Sequence, residues 1–220
     1  IEFMTFNFAL VGIDQIINNA AKIRQMSGGQ FPIPIVFRGP TASAGQLGAT
    51  HSQAFDNWFA NCPGLKVIVP SNPYDAKGLL KSAIRDDDPV IFMESEQMYG
   101  DKGEIPESEY TLPIGVADIK RKGKDVTIVS FGKIIKEAYI AADKLADEGV
   151  ECEIIDLRTI RPLDYDAIFD SVKKIWLPQV QKLIKSNEAP VILLANKTDG
   201  DVPRSSSEVT DDRFTNLNID

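Results

Sequence analysis

Short apolar runs alternate with helix-length amphipathic segments along most of this chain, and that rhythm constrains the fold more than any other feature. Ile33–Phe37, Lys66–Val69 and Pro89–Met93 are apolar runs of strand length, each bounded by Pro, Gly or polar residues. A helical spacing of Ile and Ala from Ala9 to Met26 precedes them and ends at Gly28-Gly29. Between the second and third runs, Asn72-Pro73 is a helix start, with Asn as N-cap and Pro at the first helical position, and the helix extends to about Arg85. The rhythm restarts further on: Asp125–Phe131 as a strand, Lys133–Asp147 as an amphipathic helix closed by Gly149, Val150–Leu157 as a strand, and a helix from Asp164, placed to cap it, to about Lys174. Strands alternating with helices predict an α/β fold with parallel sheets and flanking helices.

The stretch between the two series is polar, with Gly100, Gly103, Pro106 and many acids, and reads as a linker. The expected organisation is a first domain over 1–105, a linker over 106–122, a second, partial domain over 123–174 and a divergent tail over 175–220. The end of the tail, Arg204–Asp220, is expected to be poorly ordered because it is polar and mostly Ser, Thr, Asp and Asn. With 220 residues, 43% of them hydrophobic, the chain is long enough to bury one or two cores.

The formal net charge of -8 and the lack of any Lys/Arg block argue against nucleic acid as a partner. No stretch approaches the roughly 20 apolar residues of a membrane span, and the first residues lack the basic n-region of a signal peptide. Cys62 and Cys152 are too few and too widely spaced for a disulfide framework or zinc site, so a reducing compartment is expected. No P-loop, CxxC or HExxH motif occurs.

Three places are candidates for chemistry. The only histidine, His51, ends a loop rich in Gly, Ala, Ser and Thr that follows a strand, where α/β folds hold ligands. An imidazole there can transfer protons near neutral pH, although a lone histidine is more often structural. Phe3, Phe6 and Phe8 read as core, or one of them packs on a flat cofactor. Arg85-Asp86-Asp87-Asp88-Pro89 reads as a solvated turn, or as a cation site built from helix-end carbonyls.

Several exact strings go further: EFMTFNF (2–8), PIVFRGP (34–40), Gly45 through ATHSQAF (49–55), CPGLKV (62–67), SAIRD (82–86) and DLRTIRPLD (156–164). Together they resemble the beta subunits of thiamine-diphosphate-dependent pyruvate dehydrogenase, collinearly from residue 1 to about Lys174. The resemblance implies a transketolase-like architecture, with a partial pyrimidine-binding domain before the linker and the start of a transketolase C-terminal domain after it. It implies oxidative decarboxylation of pyruvate with acetyl transfer to a lipoyl carrier. The implied assembly is an α2β2 heterotetramer in which the alpha subunit holds the diphosphate of the cofactor through magnesium, with a lipoyl acyltransferase as the next partner. By the same resemblance Phe8 packs on the pyrimidine, His51 is the active-site histidine, and Ile35, Ala83, Ile84, Asp86 and Asp88 hold a structural potassium ion, mostly through backbone carbonyls. The implied compartment is the cytoplasm of a bacterium or the mitochondrial matrix of a eukaryote. The family's activating glutamate would precede Ile1, so this polypeptide alone is expected to be inactive.

The resemblance stops near Ile175. Beyond it, WLPQV (176–180) and PVILLANKTD (190–199) resemble the end of a small GTPase domain, in which Asn196, Lys197 and Asp199 would read guanine. Ile175–Ser186 is expected to extend the preceding helix and Val191–Ala195 to add a strand to the second sheet. The alternatives to the dehydrogenase reading are therefore a guanine-nucleotide-binding module carried by the tail and a non-catalytic interaction fragment.

Overall fold

Strand β3 (Val90–Glu94) is the axis of the first half of the molecule. In the computed structural model, which describes residues 1–42 and 47–178, it lies between β1 (Val36–Pro40) and β2 (Lys66–Ile68) and pairs in parallel with both. Its four leading residues are apolar and fully buried, as a strand covered on both faces requires. Alternation then sorts them. Ile91 and Met93 join Phe6, Phe37, Phe55 and Phe59 in one core, while Val90 and Phe92 join Ile68, Leu79 and Ala83 in the other.

The second core is closed by helix α3 (Pro73–Ile84). Its start is the one the sequence announces: the Asn72 side chain accepts from the Asp75 N–H, with Pro73 at the first position. The first core is closed by a helical run that begins at Phe6, earlier than Ala9. It passes through a 3-10 segment (Phe6–Gly12) and a π segment (Gln15–Ala20) before becoming regular as α1 (Ala21–Met26). Gly28 and Gly29 end it with φ of 65° and 85°. The first strand lies three residues later than the apolar run suggests, because Arg38, Gly39 and Pro40 pair with Phe92, Met93 and Glu94.

Helix α2 (Asp56–Ala60) leads into a tight turn at Gly64. Gly64 has φ of +95°, and a Cβ there would stand 1.9 Å from the Ala21 carbonyl oxygen. Gly64→Ala is therefore expected to lower stability by about 2–4 kcal/mol, since backbone strain and a backbone clash act together. Urea denaturation with an unchanged midpoint would refute this.

The second sheet has the order β4-β6-β5. Strands β5 (Val126–Ser130) and β6 (Cys152–Asp156) are parallel and joined by α4 (Ile134–Asp147), which buries Ile135, Ala138 and Ala142. Strand β4 (Asp118–Arg121) pairs antiparallel with β6 and falls inside the 106–122 stretch read as linker. A further strand, β7 (Thr159–Arg161), pairs antiparallel with β2, so a segment from the 123–174 part completes the first sheet. Helix α5 (Tyr165–Ser171) follows, its Ala167 N–H capped by the Asp164 carboxylate at 3.0 Å. A π segment continues it from Val172 to Trp176. All the described residues belong to one compact unit, Ile1–Leu183. The remaining expectations for the tail, including Asn196, Lys197 and Asp199, lie outside the described residues.

Candidate functional site

The loop that ends in His51 leaves the carboxyl end of β1, where an open parallel sheet presents backbone groups to a ligand. Its root is fixed by backbone bonds: Thr41 N–H to the Glu94 carbonyl at 2.9 Å, and Ala42 N–H to the Gln53 carbonyl at 3.0 Å. Gly48, with φ of +96°, turns the chain into a short 3-10 turn, Ala49–His51. There the His51 N–H and the Ser52 hydroxyl both donate to the Gly48 carbonyl. The Thr50 hydroxyl lies 3.0 Å from Nδ1 of His51.

The three neighbouring phenylalanines have separate fates. Phe6 is fully buried and meets Phe59 edge-on at 5.6 Å, and Phe3 stacks against Phe37 at 6.5 Å. Phe8 remains 42% exposed and stands edge-on to the His51 ring, centroids 5.1 Å apart. The structure thus brings Phe8 and His51 together from segments more than forty residues apart. An exposed aromatic face beside an imidazole suits a flat, uncharged ring that must exchange protons.

The Asp86–Asp88 turn lies elsewhere. Lys66 Nζ is 2.7 Å from both Asp86 carboxylate oxygens and 3.1 Å from Asp88, which also pairs with Arg24. Burial works to raise the Asp88 carboxyl, but hydrogen bonds from Lys66 and Arg24 outweigh it and hold the group below its usual range. The carboxylates are therefore already matched by side-chain cations. What the turn offers a further cation is backbone oxygen: the Ile35 carbonyl accepts from Val90 N–H at 2.9 Å and the Ala83 carbonyl from Asp86 N–H at 3.3 Å. The Ile35 carbonyl retains a second lone pair. No group of three or more His, Cys, Asp or Glu side chains able to hold a metal occurs among the described residues.

Two polar assemblies escape a linear reading. Arg38 on β1 grips Glu94 on β3 through two hydrogen bonds, at 2.6 and 3.1 Å, and Tyr99 donates to the same carboxylate at 2.8 Å. Burial and that carboxylate push the Tyr99 phenol well above its usual value. A larger cluster joins the two sheets. Lys120 lies 2.7 Å from Asp75 and 2.7 Å from Asp118, Arg158 lies 2.7 Å from Asp75 and 2.9 Å from Asp118, and Ser71 donates to Asp156. A signal for it exists only in pairs of distant acids and bases.

Asp56, at the start of α2, has a buried Oδ1 without a hydrogen-bond partner among the described residues. Burial raises its carboxyl above the ordinary 3.8. Between that value and the raised one, the folded chain binds more protons than the unfolded chain, so stability falls as pH rises through the window. Asp56→Asn is expected to raise the melting temperature by a few degrees at pH 7 and to change nothing at pH 3. Equal effects at both pH values would contradict this origin.

Comparison with known proteins follows the same two halves. The model of the transketolase pyrimidine-binding domain matches residues 1–102, and that of the transketolase C-terminal domain matches 115–176. The chain is 55% identical over 178 residues to the mitochondrial pyruvate dehydrogenase E1 component subunit beta-1 of Arabidopsis thaliana, covering 79% of this chain and 49% of the relative. It is 55% identical over 175 residues to the corresponding subunit of Rhizobium meliloti, covering 79% and 38%, and 51% identical over 177 residues to the human mitochondrial subunit, covering 79% and 49%. This chain is a homologue of the pyruvate dehydrogenase E1 beta subunits. A solved structure titled as a split-gene transketolase, an inactive beta4 tetramer, shares the fold at a TM-score of 0.64 and 22% identity, covering 79% of this chain and 53% of that one. The chain spans half or less of the length of the E1 beta relatives it matches. The two matched segments end at 102 and begin at 115, so the second of them includes β4.

Proposed function

We propose that this chain serves as part of the beta subunit of a thiamine-diphosphate-dependent pyruvate dehydrogenase, decarboxylating pyruvate and passing the acetyl group to a lipoyl carrier. The observation that carries this reading is the pairing of an exposed Phe8 ring with His51 at the mouth of a glycine-rich loop, in a chain homologous to E1 beta subunits. When bound, thiamine diphosphate supplies the carbon nucleophile for such a reaction. The residues here fit its flat aminopyrimidine. Phe8 would pack on that ring, and His51 would hold or deliver a proton through Nε2, since Nδ1 faces the Thr50 hydroxyl. By the homology to E1 beta subunits, the diphosphate and its magnesium are assigned to an alpha subunit in an α2β2 assembly. The lipoyl acyltransferase would approach the same mouth.

A potassium ion is assigned to the backbone oxygens of Ile35, Ala83, Ile84, Asp86 and Asp88, with Lys66 and Arg24 neutralising the two carboxylates. The compartment is proposed to be the mitochondrial matrix or the bacterial cytoplasm, according to the host. The guanine-nucleotide reading and the non-catalytic reading find no support in the comparisons.

The test is co-expression with a pyruvate dehydrogenase alpha subunit, followed by titration of the purified complex with thiamine diphosphate. Saturable binding is expected, weakened about 10-fold or more by Phe8→Ala, in line with the 0.5–1.5 kcal/mol of an aromatic pair plus the lost apolar contact. Failure of the two chains to associate, or binding indifferent to Phe8, would overturn the assignment.

A further inference from the structure

The two ring nitrogens of His51 have different surroundings. Nδ1 has one partner, the Thr50 hydroxyl at 3.0 Å, and Nε2 has none among the described residues. The Thr50 hydroxyl in turn makes no other hydrogen bond among those residues. Both side chains stand on the 3-10 turn Ala49–His51, which Gly48 opens at φ of +96° and the His51 N–H closes on the Gly48 carbonyl. Threonine is branched at Cβ and stiff about χ1, so the turn holds its hydroxyl in few directions. A hydroxyl can donate or accept, and a neutral imidazole has one N–H and one bare nitrogen. The bare nitrogen is a stronger acceptor than an alkyl hydroxyl oxygen, being the more basic atom. With the ring neutral, the stronger arrangement is therefore O–H of Thr50 donating to Nδ1.

We propose that Thr50 is a positioning residue for His51: its hydroxyl donates to Nδ1 and so keeps the proton of the neutral ring on Nε2. The inference rests on the reading of Phe8 and His51 as the reacting site. His51 then meets a ligand as a hydrogen-bond donor. That suits a 2-oxo acid, whose carbonyl and carboxylate oxygens only accept. When the ring is doubly protonated, Nδ1–H donates and the Thr50 hydroxyl rotates to accept, so the ring keeps its place in both charge states. A proton given up by the imidazolium leaves from Nε2. That N–H bond breaks, an O–H bond forms on the acceptor, and Nδ1 keeps its own proton against Thr50.

A single histidine makes the test direct, because in the full chain, labelled with 15N and free of a histidine tag, every imidazole signal belongs to His51. Nuclear magnetic resonance distinguishes a protonated ring nitrogen from a bare one. The pH is raised until the signals stop moving, and the tautomer is then read. Nε2 is expected to carry the proton and Nδ1 to be bare in nearly all molecules. Thr50→Val, which keeps the shape and removes the hydrogen bond, should raise the share of the other tautomer about 5-fold, and Thr50→Ser should restore the original ratio. Thr50 is exposed, so both variants should fold. A merely structural Thr50 would leave the tautomer ratio unmoved. In a full-length beta subunit carrying this segment, joined to an alpha subunit, Thr50→Val should lower kcat about 5-fold and Thr50→Ser should recover it. A bare Nε2 in the unsubstituted chain, an unchanged ratio in Thr50→Val, or an unchanged kcat would each overturn the proposal. The tautomer readings need neither cofactor nor alpha subunit, so their failure is distinct from a failure to bind thiamine diphosphate.

Discussion

Replacing His51 by alanine in a full-length beta subunit that carries this segment is expected, under the proposed function, to cut turnover of its complex with an alpha subunit about 10²- to 10⁴-fold, the range lost when a positioned proton-transfer group is removed. The substitution is clean because the ring is poorly embedded. It touches the Phe8 ring and the Thr50 hydroxyl, and it sits on a three-residue 3-10 turn that contributes nothing buried. Loss of folding therefore does not confuse the result: circular dichroism and the melting temperature should stay within the small range expected for a surface change. His51→Gln separates two roles. Glutamine can donate a hydrogen bond but cannot carry a proton, so a histidine that only orients substrate would be largely rescued by it. If His51 transfers protons, the glutamine variant stays slow. Turnover equal to wild type in the alanine variant would remove His51 from the reaction.

The second large effect is on stability. Lys120→Met is expected to destabilise the fold by about 3–5 kcal/mol, because it leaves the fully buried Asp75 with Arg158 alone as its counter-charge. Asp75 is fully buried, and the Lys120 side chain is only 13% exposed. Lys120 lies within 2.7 Å of both Asp75 and Asp118, and among the described residues Arg158 is their other close cation. Burial acts to lower the Lys120 ammonium, but hydrogen bonds to Asp118 and Asp75 outweigh it, so the group is firmly charged. Burial also raises the Asp156 carboxyl, against hydrogen bonds from Ser71 and the Arg158 backbone and the charge of Lys120. Removing Lys120 should raise it further and widen the acidic window in which stability falls with rising pH. The measurement is guanidinium unfolding, and the control is the double variant with Asp75→Asn. That variant should recover part of the loss, because the two residues share one interaction. A loss under 1 kcal/mol would mean that water reaches the cluster.

How much of this was legible in the sequence depends on where each element finds its partners. Strand β3 and helix α3 were plain, one from an unbroken apolar run and the other from its Asn72-Pro73 start, since both signals are local. Strand β4 was hidden because Asp118 and Lys120 serve the charged cluster, so no apolar alternation marks it. Strand β7 was hidden because three residues carry no pattern and the pairing that makes them a strand lies far back in the chain. At the candidate site, His51 stood out from its loop. The residue pattern gave no way to tell Phe8 from Phe3 and Phe6; exposure separates them, and family resemblance had singled out Phe8 beforehand. Asp56 carried no signal at all, since an unmet hydrogen bond is a property of packing.

The pairing of β7 with β2 also sets an order in time. During synthesis the side of β2 away from β3 emerges with its N–H and C=O groups unpaired, and the segment that covers it is made roughly ninety residues later. At about 5–20 residues per second the gap lasts several seconds. For that interval the nascent chain presents an open, apolar strand edge, the kind that pairs with other chains. A ribosome pause between Arg121 and Thr159 would prolong the exposure, whereas a chaperone bound over Lys66–Ile68 would shield it until Thr159–Arg161 arrives.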